Sequence, residues 1–133
     1  MRNIKFRAWD KKDFKVRQVL GMSFQHGTIS VELNNEEYLQ DGASRFELMQ
    51  YTGLKDKNGT EIYEGDVLYV EQIDRIDPYI PHKKNVAVRY EGRDTAFVFD
   101  EEAGFVIGLY STPRELEVIG NVYENPELLG DSQ

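Results

Sequence analysis

The chain has 133 residues, is 40% hydrophobic and 30% charged, carries a formal net charge of −8 and contains no cysteine. That size suits one domain with one core, with too much apolar material for a disordered chain. The missing thiols exclude disulfides, thiolate metal sites and cysteine nucleophiles, and the acidic balance disfavours sequence-independent nucleic-acid binding by the chain as a whole. In chain order, Ile4, Phe6 and Ala8 alternate with Lys5, Arg7 and Trp9, which predicts a strand with one core face. Asp10-Lys11-Lys12-Asp13 reads as a turn, and Phe14-Lys15-Val16-Arg17 as a return strand with the same alternation. The hairpin is expected to gather Lys5, Arg7, Lys15 and Arg17 on one face. Residues 2–17 hold seven basic and two acidic side chains, a balance of +5, so the remainder carries −13. A ladder of like charges is unfavourable alone, so acidic groups of this chain or a neighbouring subunit, or an anion, are expected opposite it.

Residues 19–24 are apolar around Gly21, and Gln25-His26-Gly27 punctuates them before an alternating strand at 28–33. Residues 36–44 are polar and read as one helical turn or an exposed loop. His26 and His82 sit in polar stretches without partner ligands at metal spacing, so they read as solvated turn histidines. An alternating run at 46–51 leads to the turn Lys57-Asn58-Gly59, then Ile62-Tyr63-Glu64-Gly65-Asp66 opens an apolar strand from Val67. Residues 73–84 hold two prolines and no clean period, which predicts a long irregular loop, and loops of that kind carry contacts. Strands are expected at 85–90, 96–99 and 105–110, an acidic turn at 100–104, a helical turn at 113–116, a strand at 117–123, and a terminal turn after Asn125-Pro126. No phosphate loop, nucleophile elbow or zinc-binding helix is present. No apolar run is long enough to span a bilayer, and the N-terminus lacks a signal-peptide core, so the chain reads as cytoplasmic with no membrane partner.

Three segments resemble the YopX-like phage and prophage proteins. They are Leu48-Met49-Gln50-Tyr51-Thr52-Gly53-Leu54-Lys55-Asp56 with Asn58-Gly59 and Ile62-Tyr63-Glu64-Gly65-Asp66; the opening Lys5-Phe6-Arg7-Ala8-Trp9-Asp10; and the closing Val118-Ile119-Gly120-Asn121-Val122-Tyr123-Glu124-Asn125-Pro126-Glu127-Leu128. The resemblance spans the chain from end to end. It implies a functionally uncharacterised protein with a small SH3-like barrel in its C-terminal part, no assigned catalytic residues, and a host-cell setting.

The expected fold is mainly β with minor α. A basic N-terminal β lobe fills residues 1–60, an SH3-like barrel residues 61–125, and a tail residues 126–133. The expected function is a non-catalytic binding or assembly module acting through surface contacts, as a homo-oligomer or on a host or phage protein. Nucleic acid is disfavoured except through the basic hairpin, and no cofactor or metal is expected. Candidate binding residues are Arg7, Trp9, Lys15, Arg17, Tyr79 and His82. One rival is an acidic decoy or modulator of host nucleic-acid-processing proteins. The other, ranked last, is a hydrolase using Glu64, Asp66 or His82, because facing carboxylates in a cleft are not evident from the sequence.

Overall fold

A computed structural model of the chain describes residues 4–34, 36–73, 81–91, 96–98 and 116–130. The chain is mainly β and divides into two compact units, residues 1–51 and 52–133. The boundary falls within a strand, ahead of the Asn58-Gly59 turn.

The first unit is an antiparallel sheet in the order β4-β3-β2-β1-β5, built from β1 (Phe6–Asp10), β2 (Lys15–Ser23), β3 (Thr28–Glu32), β4 (Tyr38–Gly42) and the first half of β5 (Phe46–Lys55). Its core is Ala8, Ile29, Val31 and Phe46, with Val19 and Leu39 against them. These side chains share one sheet face because Val19 lies opposite Val31, Val31 opposite Leu39, and Ala8 next to β5. Residues 38–42 form a strand where a helical turn or loop is expected. The cause is tertiary: Leu39 fills the core beside Val31, while Leu33 and Ala43 donate backbone bonds to Glu37 and Gly27 at either end. A register shift between Val19 and Gly21 in β2 accommodates Leu20 as an extra residue.

The β1–β2 turn is Lys11–Phe14, one residue further along the chain than the expected Asp10–Asp13. Asp10 pairs with Lys15, and Phe14 sits in the turn at φ 56, its amide bonded to the Asp10 carbonyl. With four residues between the paired ends, odd-numbered residues of β1 share a face with even-numbered residues of β2. Arg17 therefore lies opposite Ala8 and Lys15 opposite Asp10, while Arg7 and Trp9 face the other way beside Gln18 and Val16. The expectation that Lys5, Arg7, Lys15 and Arg17 share one face is corrected by this register.

In the second unit, β5 continues past Thr52 and pairs with β6 (Glu61–Tyr63), and a three-stranded sheet runs β11-β7-β8. Its members are β7 (Asp66–Ile73), β8 (Pro81–Ala87) and β11 (Leu116–Asn121); β9 (Arg89–Glu91) pairs with β10 (Ala96–Val98). Ile62, Leu68, Val86, Val88 and Leu116 form the core, with Leu54 and Val118 packed on it. Leu54 and Ile62 belong to this core, which is why the unit begins before the turn. Tyr51 and Tyr63 are buried and Tyr69 half-buried.

Of the irregular stretch expected at 73–84, Ile73 pairs with Pro81 and residues 81–84 belong to β8, while residues 74–80 lie outside the described residues. Proline is tolerated at a strand's first residue, where its missing N–H costs least. The expected features at 100–104, 105–110 and 113–115 lie outside the described residues. A terminal helix, α1 (Glu127–Gly130), follows Asn125-Pro126 and is docked by Asn85, whose Nδ2 donates to the Leu128 carbonyl at 3.0 Å.

Four family-like positions act as staples of this unit. Asp56 accepts the amides of Asn58 and Thr60 on Oδ1 (2.8 and 2.9 Å) and that of Val118 on Oδ2 (2.9 Å), tying the turn to β11. Thr52 donates from Oγ1 to the Ile62 carbonyl at 2.8 Å. Asn121 accepts the Tyr123 and Glu124 amides, and Asn125 accepts that of Asn121. Gly120 faces Asn125 so closely that an added Cβ would lie 2.5 Å from its Oδ1. Gly120→Ala must displace that hydrogen-bonded side chain, and urea unfolding is expected to show a loss of about 1–2 kcal/mol.

Candidate functional site: the N-terminal hairpin and its ion-pair cluster

The hairpin turn presents Asp10 and Asp13 three residues apart, and two arginines reach them from different elements. Arg17 on β2 donates from Nε to Asp10 Oδ2 at 2.9 Å and from Nη2 to Asp13 Oδ2 at 2.9 Å. Arg45 donates from Nε to Asp10 Oδ1 and from Nη2 to Asp10 Oδ2, both at 2.9 Å. This side-by-side pairing is the strong geometry for guanidinium and carboxylate. Arg45 also reaches Asp13 and Asp41, each at 3.1 Å. The Lys12 and Asp13 amides complete the shell of Asp10 at 2.9 and 3.2 Å. Asp10 is wholly buried, and the Arg17 and Arg45 side chains are 8% and 12% exposed.

Arg45 comes from a single 3-10 turn at Ala43–Arg45, which starts where β4 ends and returns the chain into β5. The Lys11 amide bonds to the Arg45 carbonyl at 3.0 Å, so the hairpin turn and this 3-10 turn are joined through both backbone and side chains. Lys11 also pairs with Glu47 at 3.4 Å. Lys12 and Lys15 are exposed and have no ion pair among the described residues. A wide-mouthed cleft of about 350 Å³ lies here, lined by Lys11, Lys12, Asp41, Gly42, Ser44 and Arg45.

Burial alone would raise the Asp10 carboxyl pKa. Hydrogen bonds from Arg45 and Arg17, then from the two amides, outweigh it and hold the group well below its ordinary 3.8. Asp56 is likewise pushed up by burial but held lower by the Val118, Thr60 and Asn58 amides. The bond to Asp10 raises Arg45 above its own high ordinary value. A carboxyl whose pKa falls on folding contributes stability that is complete above the ordinary value and is lost as pH drops through the lowered one. The urea midpoint is therefore expected to be flat from neutral pH to about 5 and to fall steeply below about pH 4. A midpoint unchanged down to about pH 3 would contradict the pairing of these groups.

The sequence candidates divide as follows. Arg7 and Trp9 are half-buried on one face, and Lys15 is exposed opposite Asp10. Arg17 is engaged by Asp10 and Asp13, so it is no free cation for a partner. The groups expected opposite the basic hairpin are, for Arg17 and Lys11, acids of this same chain. Tyr79 lies outside the described residues. His82 stands opposite Gln72 in β8, within a strand and not a loop. Sequence reading missed Asp10 and Arg45, 35 residues apart. The Asp-x-x-Asp spacing in the turn was a signal for a cation between them, but nothing local named Arg45.

Trp9 and Phe14 form an aromatic pair with ring centroids 6.4 Å apart and planes tilted by 55°. Phe14 is 71% exposed at a positive φ, which costs a bulky residue about 1–2 kcal/mol. Of the residues considered for hydrolysis, Asp66 is buried and accepts the Tyr63 amide on Oδ2 at 2.7 Å, as a turn-forming carboxylate does. Gly65 beside it has φ 89 and bonds to Val88 through its amide. Among the described residues no cluster of three or more metal-ligating side chains occurs, and no helix is long and apolar enough to cross a membrane.

Two antiparallel β units, with motif carboxylates and amides turned onto the backbone, define a mainly β protein whose sequence hallmarks maintain the fold. The chain belongs to the YopX protein family, whose model matches residues 5–130. Among solved structures it is similar to protein EF1440 from Enterococcus faecalis, at 27% identity and TM-score 0.64, over 97% of this chain and 99% of that one. It also shares its fold with protein yopX from Bacillus subtilis, at 20% identity and TM-score 0.62, over 100% of both chains. A search of curated proteins finds no match.

Proposed function

We propose that this protein is a non-catalytic, phage- or prophage-type binding or assembly module that acts by surface contact in the host cytoplasm, with its second unit closing as an SH3-like barrel. The observation that carries this reading is the inversion of polar and apolar groups. Asp10, Asp56, Asp66 and Asn121 are buried in hydrogen bonds that hold turns and strands, whereas Phe24, Phe14, Tyr38 and Leu20 are 92%, 71%, 65% and 57% exposed in the first unit. Exposed aromatics are the side chains that supply contact area at interfaces. Self-association of the first unit is the first form of this contact. Because Arg17 is neutralised within its own chain, association is expected to depend on apolar surface more than on charge. Sedimentation equilibrium tests it. Expected is reversible association that persists at high salt and is weakened in Phe24→Ser; a monomer at every concentration contradicts it.

A second reading, an acidic decoy of host nucleic-acid-processing proteins, is favoured by the net charge of −8 and pI near 4.8. Capture from host lysate with no such partner would remove it.

A further inference from the structure

We propose that the tip of the β1–β2 hairpin binds single-stranded nucleic acid, with Phe14 and Trp9 stacking a base and Lys11 and Lys12 holding the backbone phosphates. The inference rests on the surface-contact reading and names a partner for one part of that surface.

Three independent observations converge on the tip. The first is Phe14: a turn position at φ 56 favours glycine or asparagine, yet it carries an exposed phenyl ring. Backbone strain held in place by its surroundings is a mark of function, and Asp10 supplies the restraint here by accepting the Phe14 amide. The second is Trp9, which lies 6.4 Å from that ring and extends the aromatic surface. Stacking on aromatic rings is how proteins hold unpaired bases without regard to sequence.

The third observation is charge. Although Asp10 and Asp13 lie in the same turn, both are bonded to Arg17 and Arg45, so their negative charge is offset within the cluster. Lys12 is exposed and makes no ion pair among the described residues, with Asp41 the one cluster carboxylate that feels its charge. Lys11 shares only a long, solvent-exposed contact with Glu47. Lys11 and Lys12 also line the cleft of about 350 Å³ together with Arg45 and its paired Asp41, and the cleft has room for a phosphate group. A duplex keeps its bases stacked inside and offers the rings nothing, so a single strand is the preferred form. The net charge of −8 repels any polyanion and sets the expectation of weak, salt-sensitive binding.

The chain has a single tryptophan, Trp9, so its fluorescence reports stacking directly. The test titrates the full chain with a labelled oligothymidylate of about 12 nucleotides and follows anisotropy together with Trp9 emission. Expected are quenching of Trp9 and an affinity that falls with salt with a log–log slope of about −1.4, a loss of about sevenfold between roughly 50 and 200 mM. Phe14→Asn should bind about tenfold more weakly with a melting temperature no lower than the parent, since asparagine accepts this backbone. Lys12→Gln should reduce the slope to about −0.7.

Four results would overturn the proposal: no quenching at low salt, equal affinity for duplex, undiminished binding by Phe14→Asn, or binding to phosphatidylserine vesicles in place of the oligonucleotide. Sedimentation of the same samples separates the two readings. If association persists while the oligonucleotide fails to bind, only the hairpin proposal falls.

Discussion

Asp10→Ala is expected to lower the unfolding free energy by about 3–5 kcal/mol. The reason is not the attraction that the pair loses but the charge that it leaves behind. Arg17 and Arg45 are nearly buried, and without Asp10 each keeps a guanidinium facing a cavity, with only the more exposed Asp13 and Asp41 as partners. The turn also loses the acceptor for the Lys12 and Asp13 amides, so hairpin geometry and Phe14 should loosen together. Asp10→Asn is not expected to restore stability, because its amide group would present donors where two arginines already donate. Urea denaturation with unchanged m-values measures both variants. A cost below about 1 kcal/mol for Asp10→Ala would mean that the cluster is no more than a surface ion pair.

Asp56→Ala is the second. Three amides from two separated segments converge on one carboxylate, and hydrogen bonds to charged acceptors are each worth about 1.5–3 kcal/mol. Asn58 and Thr60 lie in an exposed turn where water replaces part of the loss, whereas the Val118 amide lies within β11 and has less access to water. A total of about 2–4 kcal/mol is expected. Asp56→Asn should fail to rescue it, because an amide side chain has one acceptor oxygen and cannot serve both the turn and β11. Hydrogen exchange locates the effect: the Val118 amide should lose protection before those in the β7–β8 pair. Uniform loss across the second unit would contradict a local tie between turn and strand.

Much of the β architecture was legible because period-two patterning and turn residues are local signals. Phe6 to Ala8, Ile29 to Val31 and Val67-Leu68 fell into strands as their alternation or apolar run implied. Lys57-Asn58-Gly59 and Gly65 fell into turns because their backbone requires it, with Gly59 at φ 83 and Gly65 at φ 89. Three features were not legible, each for a non-local reason. Phe14 looks like a strand residue, and only the Asp10–Lys15 register shows that it belongs to the turn and that Arg7 and Arg17 take opposite faces. Residues 38–42 carry a polar sequence that becomes a strand because β3 offers an edge and Leu39 fills its core. The Asp10–Arg45 contact spans 35 residues, and charge type alone cannot choose Arg45 over the other basic residues.

The same limits explain the candidate site. The cluster of cations at the N-terminus was visible as composition, but the sequence could not show which of them the chain itself neutralises. Arg17, a candidate binding residue by sequence, is paired with Asp10 and Asp13, while Lys15 is exposed. Sequence gave the charges, and register and burial decided which face outward.

Sedimentation equilibrium of the parent chain beside Phe24→Ser, at low and high salt, tests most directly whether function resides in exposed side chains on a scaffold held by buried polar ones. The account predicts salt-tolerant association of the parent, weakened association of the variant, and equal melting temperatures, since Phe24 is 92% exposed and supports no core. A parent that stays monomeric under every condition, or a variant that associates as strongly as the parent, would contradict it.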